Sequence, residues 1–108
     1  MREIKKDKYF RDRQSTYVVF SIRCAKCDAE VLLYQKDGRG DLKRLYLNRI
    51  LAPETLASLQ DVTDSVKGMK ILKCGCGNKI GIPMLHREGR LAFRLILGAF
   101  TKNKHKKK

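Results

Sequence analysis

The sequence lacks a long stretch without charge, and this absence excludes a membrane-spanning helix. The longest uncharged segment, Gln14 to Ile22, has nine residues, whereas a helix that crosses a bilayer needs about 20 apolar residues. The charged N-terminus also lacks the apolar stretch and the small-residue cleavage site of a secretory signal. We therefore expect a cytoplasmic protein that does not insert into membranes.

Patterns typical of catalysis are also missing. The chain has no Ser, His and Asp arrangement, no glycine-rich phosphate loop and no paired carboxylates at a useful spacing. Of its two histidines, His86 lies in a turn pattern and His105 lies among lysines. We expect a protein that is not an enzyme.

Acidic residues are scarce relative to basic ones. Asp and Glu total 11 against 25 Lys and Arg in 108 residues, which gives a formal net charge of +14. A charge of this size raises the local concentration of polyanions and speeds encounter with them. We expect nucleic acid as the partner, with RNA favoured over DNA. An anionic membrane is the rival, but no apolar or lipidated segment accompanies the lysines.

The positive charge is concentrated at the two ends of the chain. Residues 1–13 form a basic N-terminal arm, and residues 101–108 form a lysine-rich tail that we expect to be disordered. Residues 14–100 remain as one folded domain, because a chain of this length supports one core. The candidate nucleic-acid-binding residues are Lys5, Lys6, Lys8, Arg11, Arg13, Lys26, Lys43, Arg44, Arg90, Arg94, Lys102, Lys104, Lys106, Lys107 and Lys108.

Aromatic residues among these cations are candidates for stacking on bases. Tyr34 and Tyr46 lie in predicted strands, where core packing is the favoured interpretation. Tyr9 and Phe10 lie in the arm, and for them stacking and packing stay equally open.

The four cysteines form two close pairs. Cys24 and Cys27 enclose two residues, Cys74 and Cys76 enclose one, and 46 residues separate the pairs. Short turns of this kind point two sulfurs at one centre, and two such turns complete a tetrahedron around Zn²⁺. Four cysteine ligands leave no open coordination position, so we expect one structural zinc ion and no hydrolytic chemistry.

Other uses of these cysteines stay open. Two disulfides or free thiols are possible, although nothing in the sequence indicates an oxidising compartment. A Cys-x-x-Cys redox site needs a βαβ setting, and the surrounding sequence is hairpin-like. Iron fits the same four-sulfur cage. His86 is a possible replacement ligand, but it lies ten residues beyond Cys76.

Alternating apolar residues predict a mainly β fold built from two zinc-knuckle hairpins. The segments expected to form strands are 16–23, 30–36, 43–48, 69–73, 79–85 and 90–100. One short helix is predicted at 53–59, where a proline precedes an early glutamate. The hairpins would form small curled antiparallel sheets with flexible basic termini, and a shared metal would add folding energy.

The two cysteine turns resemble the knuckles of a rubredoxin-like zinc ribbon. Arg-Cys-Ala-Lys-Cys at 23–27 and Lys-Cys-Gly-Cys-Gly at 73–77 are each followed by a predicted strand. The long spacer resembles the Mss4-like and Yippee-like group, in which two cysteine turns join curled sheets. The second turn departs from those families, which usually have two intervening residues there. The residues to which the resemblance assigns a metal-binding role are Cys24, Cys27, Cys74 and Cys76.

Two functions fit these patterns. The first is a small structural-zinc protein that binds RNA through backbone phosphates, with ribosomal RNA as one candidate. The alternative is a zinc-ribbon adapter for a protein partner, in which Glu54, Asp61 and Asp64 and the short helix form the contact. Salt separates the two functions, because phosphate contacts weaken steeply as salt rises.

Overall fold

The computed structural model describes residues 1–105, which form two four-stranded antiparallel sheets. In chain order the strands are β1 Tyr17–Cys24, β2 Glu30–Asp37, β3 Arg44–Tyr46, β4 Ile50–Ala52, β5 Leu72–Lys73, β6 Lys79–Leu85, β7 Leu91–Leu95 and β8 Phe100–Lys104. The first sheet has the order β4-β2-β1-β8, and the second has the order β3-β7-β6-β5. The prediction of a mainly β fold with small antiparallel sheets is confirmed.

Each cysteine turn joins two antiparallel strands, and the two hairpins belong to different sheets. β1 pairs with β2 in the first sheet, and β5 pairs with β6 in the second. In the first hairpin, Phe20 lies opposite Tyr34 and Ile22 lies opposite Leu32. All four side chains are buried in one core cluster together with Phe93 of β7. Since the cluster joins side chains of both sheets, the core lies between them. Burial of each such side chain contributes roughly 1.5–3 kcal/mol to stability.

The N-terminal arm packs against the first sheet, so the expectation of a flexible N-terminus is wrong. Helix α1, Lys8–Asp12, begins where the Asp7 carboxylate accepts a hydrogen bond from the Phe10 backbone N–H at 3.2 Å. Phe10 is buried, and its ring centroid lies 6.1 Å from that of Tyr17. The Arg2 backbone N–H donates to the Leu51 carbonyl at 2.8 Å. One apolar anchor and these backbone contacts hold the short arm in place.

Residues 101–104 belong to strand β8, so the prediction of a disordered tail from residue 101 is wrong for this segment. β8 pairs antiparallel with β1, and Lys102 lies opposite Ile22. The His105 backbone N–H donates to the Val19 carbonyl at 2.7 Å. A strand is held by backbone pairing, which lysine-rich composition does not prevent. The rest of the predicted tail, residues 106–108, lies outside the described residues.

The single strand predicted at 90–100 is two strands joined by a turn. β7 ends at Leu95, and residues 96–99 lead the chain into β8 of the other sheet. Gly98 has a φ of 80°, which favours glycine and allows the reversal. Leu97 is 93% exposed in this turn.

The remaining segments follow the prediction more closely. β3 covers residues 44–46 of the strand predicted at 43–48, and a 3₁₀ turn, Leu47–Arg49, follows it. The helix predicted at 53–59 is present as α2, Glu54–Ala57, followed by α3, Leu59–Val62. Among residues 1–105, none of the helices has the length and apolar character that crossing a bilayer requires.

Candidate metal centre and basic surfaces

The four cysteine side chains meet where the two hairpins come together. All four Sγ atoms lie within 4.8 Å of one another. The Sγ atoms of Cys24 and Cys76 are 3.6 Å apart, and those of Cys27 and Cys74 are 3.4 Å apart. A tetrahedral zinc ion with Zn–S bonds of about 2.3 Å sets its sulfurs about 3.8 Å apart, close to this spacing. The cluster could therefore hold one metal ion, such as zinc.

The alternatives for the cysteines fit the structure less well. All four cysteines are free, and their sulfurs lie much farther apart than the roughly 2.05 Å of a disulfide. The first pair lies between antiparallel strands and not in a βαβ unit. His86 is not part of the cluster, which consists of the four cysteines alone among the described residues. Its ring instead packs edge-on against Tyr46, with 5.6 Å between the centroids.

The first cysteine turn reverses through a residue in the left-handed region. Asp28, directly after Cys27, has a φ of 62°, a conformation that Asp tolerates better than most residues. Its backbone N–H donates to the Cys24 carbonyl, and the Cys24 N–H donates to the Ala29 carbonyl, each at 2.9 Å. Arg23 Nε donates to the Asp28 carboxylate at 3.1 Å. The turn is closed by its own backbone and by this ion pair.

The second cysteine turn follows the same plan with one residue fewer. Gly77, directly after the second cysteine, has a φ of 93°, and its N–H donates to the Cys74 carbonyl at 2.9 Å. The Cys74 N–H donates to the Asn78 carbonyl at 2.9 Å. The Asn78 side-chain N–H₂ donates to Cys24 Sγ at 3.4 Å and to the Ala99 carbonyl at 3.0 Å. Asn78 thus ties the two turns together, a role that sequence analysis missed because an asparagine in a turn has no distinguishing pattern.

Hydrogen-bond donors favour the ionised form of one cysteine. The backbone N–H of Cys27, followed by the side chain of Asn78, lowers the pKa of Cys24 to about 6. The thiolate is the form that binds metal. Cys24 and Cys74 are buried, whereas Cys27 and Cys76 are exposed. One side of the cluster therefore faces the core, and the other faces solvent.

A buried arginine fastens the N-terminal arm to the first sheet. Arg49 is 1% exposed; its Nε donates to Asp37 at 2.8 Å, and its Nη2 donates to Asp7 at 2.6 Å. The hydrogen bond from Arg49 lowers the pKa of Asp7 to about 2. The buried Gln35 side chain donates to Asp37 and to the Lys5 carbonyl, each at 2.8 Å. Sequence analysis missed this network because its members are far apart in the chain.

The acidic cluster expected around residues 54–64 is largely occupied by Arg2. Its guanidinium contacts both Glu54 oxygens, at 3.0 and 2.6 Å, and an Asp61 oxygen at 2.7 Å. The hydrogen bonds from Arg2 lower the pKa of Glu54 and of Asp61. These two acids hold the N-terminus in place, and the third acid of the predicted cluster, Asp64, is exposed.

Several predicted nucleic-acid-binding residues of the arm have contacts within the protein. The Lys5 Nζ donates to the side-chain oxygen of Gln60, and partial burial lowers the pKa of Lys5. Arg11 and Arg13 each donate to a backbone carbonyl at 3.1 Å. The Lys8 Nζ lies 4.0 Å from a glutamate carboxylate. These contacts fix the positions of the side chains, but only the contact of Lys8 is with an acidic group.

The strands of the second sheet carry four basic residues and no acidic one. They are Arg44, Lys73, Lys79 and Arg94. Arg44 lies directly opposite Arg94, and Lys73 lies directly opposite Lys79. Like charges in directly opposed positions repel each other. Within residues 1–105, none of the four forms a salt bridge.

Arg90, just before β7, is held between two tyrosine rings. Its guanidinium carbon lies 3.9 Å from the ring centroid of Tyr9 and 3.7 Å from that of Tyr46. Its Nη2 donates to Asn48 at 3.1 Å, and its Nε is buried with no hydrogen-bond partner in the described part of the chain. Tyr46 is only partly buried, whereas Tyr34 is buried as predicted. We name Tyr9, Arg90 and Tyr46 the arginine clamp.

The other predicted basic residues are dispersed over the surface. Lys6, Lys26 and Lys43 are exposed. Lys102 and Lys104 lie on β8, at one edge of the first sheet, with the Lys102 Nζ 5.0 Å from the centroid of the Phe20 ring. The predicted residues outside the described part of the chain are Lys106, Lys107 and Lys108.

Comparisons with known proteins assign neither a family nor a function to this chain. A scan against protein-family models, a search of curated proteins and a search of solved structures each found no match. The likeness of the cysteine turns to zinc ribbons therefore rests on their motifs and spacing.

Proposed function

We propose that the protein is a small structural-zinc protein that binds nucleic acid, RNA in preference to DNA, through the basic second sheet. The observation that carries this proposal is the acid-free set of directly opposed cations, Arg44 with Arg94 and Lys73 with Lys79. An opposed like-charge pair is destabilising by a fraction of a kcal/mol to about 1 kcal/mol. A phosphate backbone placed over such a pair removes the repulsion and gains charge-assisted hydrogen bonds.

Aromatic groups beside these cations favour nucleic acid with unpaired bases, which RNA offers more often than duplex DNA. Sequence-specific RNA recognition targets unpaired bases, which stack on tyrosine rings and on arginine planes. The arginine clamp offers both kinds of surface next to β3 and β7. Met84 and Ile82 of β6 lie beside β7 in the same sheet and add apolar surface.

The metal in this proposal is a single zinc ion held by the cysteine cluster, as in a rubredoxin-like zinc ribbon of the Mss4-like or Yippee-like group. Soft thiolate ligands in a tetrahedron suit zinc, and iron remains the competing metal for such a cage. Four protein ligands fill the coordination shell, so the ion would hold the turns together and no catalytic role is assigned. The proposal places the protein in the cytoplasm, where thiols stay reduced, with ribosomal RNA as one candidate partner. Elemental analysis of the purified chain distinguishes the two metals.

A salt series with a short single-stranded RNA tests the proposal. Affinity should fall linearly with the logarithm of salt concentration, with a slope of about −0.7 for each phosphate contact. The same sequence as a DNA duplex, in which the bases already stack on one another, should bind more weakly. The double variant Arg44→Gln with Arg94→Gln should reduce the slope by about 1.4, because two contacts are lost.

The matched control removes the same charge elsewhere. Lys67 and Lys70 are exposed and lie outside both sheets, so changing both to Gln should leave most of the slope intact. Equal weakening by both double variants would show that only total charge matters. Salt-insensitive capture of one protein, without RNA binding, would favour the adapter alternative, for which two of the three acids are already paired with Arg2.

A further inference from the structure

A cavity of about 250 Å³ opens between helix α1, the segment before β3 and the arginine clamp. The residues of its wall that matter here are Tyr9, Tyr46, Lys43, Arg44, Arg90 and Glu88. Pockets for complete drug-sized ligands have volumes of about 300–1,000 Å³. This cavity therefore suits one nucleotide, or the phosphate and sugar of one, and it is too small for a helical segment.

Positive charge predominates in the cavity wall. Six cationic and four acidic side chains line it. The Asp37 carboxylate is already bound to Arg49, and the remaining three acids are exposed. Arg90 and Arg44 form no salt bridge within residues 1–105. The free charge of the cavity therefore favours an anion.

The position of Arg90 is fixed before any anion binds. The two rings of the clamp lie 3.9 and 3.7 Å from its guanidinium carbon, and its Nη2 donates to Asn48 at 3.1 Å. Its Nε is buried and has no partner in the described chain. A desolvated cation without a counter-charge is unfavourable, and the planar edge of a guanidinium matches two phosphate oxygens. Burial also lowers the pKa of Arg90, which is the direction expected for a cation that lacks an anion.

We infer that this cavity binds the phosphate of a single nucleotide, with Arg90 as the central ligand and Lys43 and Arg44 at the rim. The phosphate has two candidate sources. For one of them the inference rests on the proposed function, RNA binding at the adjoining basic sheet. That source is the 5′-phosphate end of an RNA strand. The other is a free mononucleotide, which carries the same group.

Binding of three probes to the full chain tests the inference. They are a short RNA with a 5′-phosphate, the same RNA with a 5′-hydroxyl, and adenosine 5′-monophosphate. Charge-assisted hydrogen bonds predict that the 5′-phosphate raises RNA affinity roughly ten-fold or more. Arg90→Lys keeps the charge but removes the planar edge, so it should abolish most of that preference. Arg39→Lys is the matched control, because Arg39 is exposed and does not line the cavity.

The outcomes separate the inference from the proposed function. Equal binding of both RNA ends, with no binding of the mononucleotide, would overturn the inference and leave RNA binding intact. Binding of the mononucleotide without any RNA binding would support the inference and overturn the proposed function. If Arg90→Lys fails to fold in a thermal melt, Lys43→Gln at the exposed rim replaces it, with a smaller loss of the preference expected. An unchanged preference in the folded variants would overturn the role given to these residues.

Discussion

Arginines in and beside the first sheet meet carboxylates, whereas the two arginines of the second sheet meet each other. Arg49 lies between Asp7 and Asp37 and is 1% exposed. Arg44 of the second sheet lies opposite Arg94, and the strands of that sheet contain no acid. A cation that is paired within the chain contributes to the fold, and one left beside another cation contributes only when a ligand supplies the anion. Net charge alone does not distinguish these two uses, because both sheets are rich in arginine and lysine.

If the cysteine cluster holds the proposed zinc ion, its removal should have the largest effect, because the cluster joins the two sheets. Structural zinc sites contribute apparent binding free energies of about 10–16 kcal/mol at neutral pH, comparable to the whole stability of a small domain. We expect a chelator, or Cys24→Ser, to abolish the cooperative thermal melt measured by circular dichroism. Lys26→Ser is the control, since Lys26 is exposed in the same turn. An unchanged melt after complete metal removal would show that the sheets dock without the cluster.

Replacement of Arg49, the buried cation packed against the first sheet, should have the next largest effect on stability. Arg49→Met leaves Asp37, which is 10% exposed, without its cation. Breaking one partner of a buried ion pair costs roughly 3–5 kcal/mol. Urea denaturation should show this loss, while Arg44→Met in the second sheet should cause no loss of stability. Similar losses in both variants would remove the distinction between the two sheets.

Acid should weaken the pairing of Asp7 with Arg49. Arg49 lowers the pKa of Asp7 from 3.8 to about 2. The unfolded chain therefore takes up this proton more readily, so the contribution of Asp7 is complete above about pH 4 and is lost as pH falls towards 2. The Asp7 side chain is 39% exposed, and solvent screening keeps the effect below that of losing Arg49.

Urea denaturation at a series of pH values measures how the free energy of unfolding falls in acid. Between about pH 4 and 2 this fall should be smaller for Asp7→Asn than for the unchanged chain. Asparagine keeps the hydrogen bond that begins helix α1, so the comparison isolates the charge. An equally steep acid limb in this variant would assign the acid sensitivity to other carboxylates.

Relief of the repulsion in the second sheet should have the smallest effect and the opposite sign. Arg94→Gln removes one member of the opposed pair and should stabilise the free protein by a fraction of a kcal/mol, up to about 1 kcal/mol. Urea denaturation measures this gain. Arg39→Gln removes an exposed charge outside the sheets and should have no such effect. A loss of stability in Arg94→Gln would mean that the arginine is already paired in the free protein.

The cysteine turns were predictable because their geometry is local. Two short spacings and a residue tolerant of the left-handed region indicate the reversal, and Asp28 and Gly77 both adopt positive φ. Alternation of apolar residues likewise identified the first hairpin. The structure matches these local patterns because backbone hydrogen bonds close each cysteine turn within a few residues.

The parts that escaped prediction depend on contacts between distant segments. Arg49 looks like any other arginine until the chain brings Asp7 and Asp37 beside it. β8 has little apolar character, and its pairing with β1 depends on backbone groups about 80 residues apart in the chain. Arg90 was marked as a basic residue, but its position between two rings follows only from the packing of the arm.

The long spacer between the cysteine pairs sets the order in which the molecule assembles. Each hairpin closes over a few residues, an event that takes about 1–10 μs. The two turns must then find each other across 46 intervening residues, and the entropy lost in closing such a loop grows with the logarithm of its length. We therefore expect the two hairpins to form before the four cysteines come together.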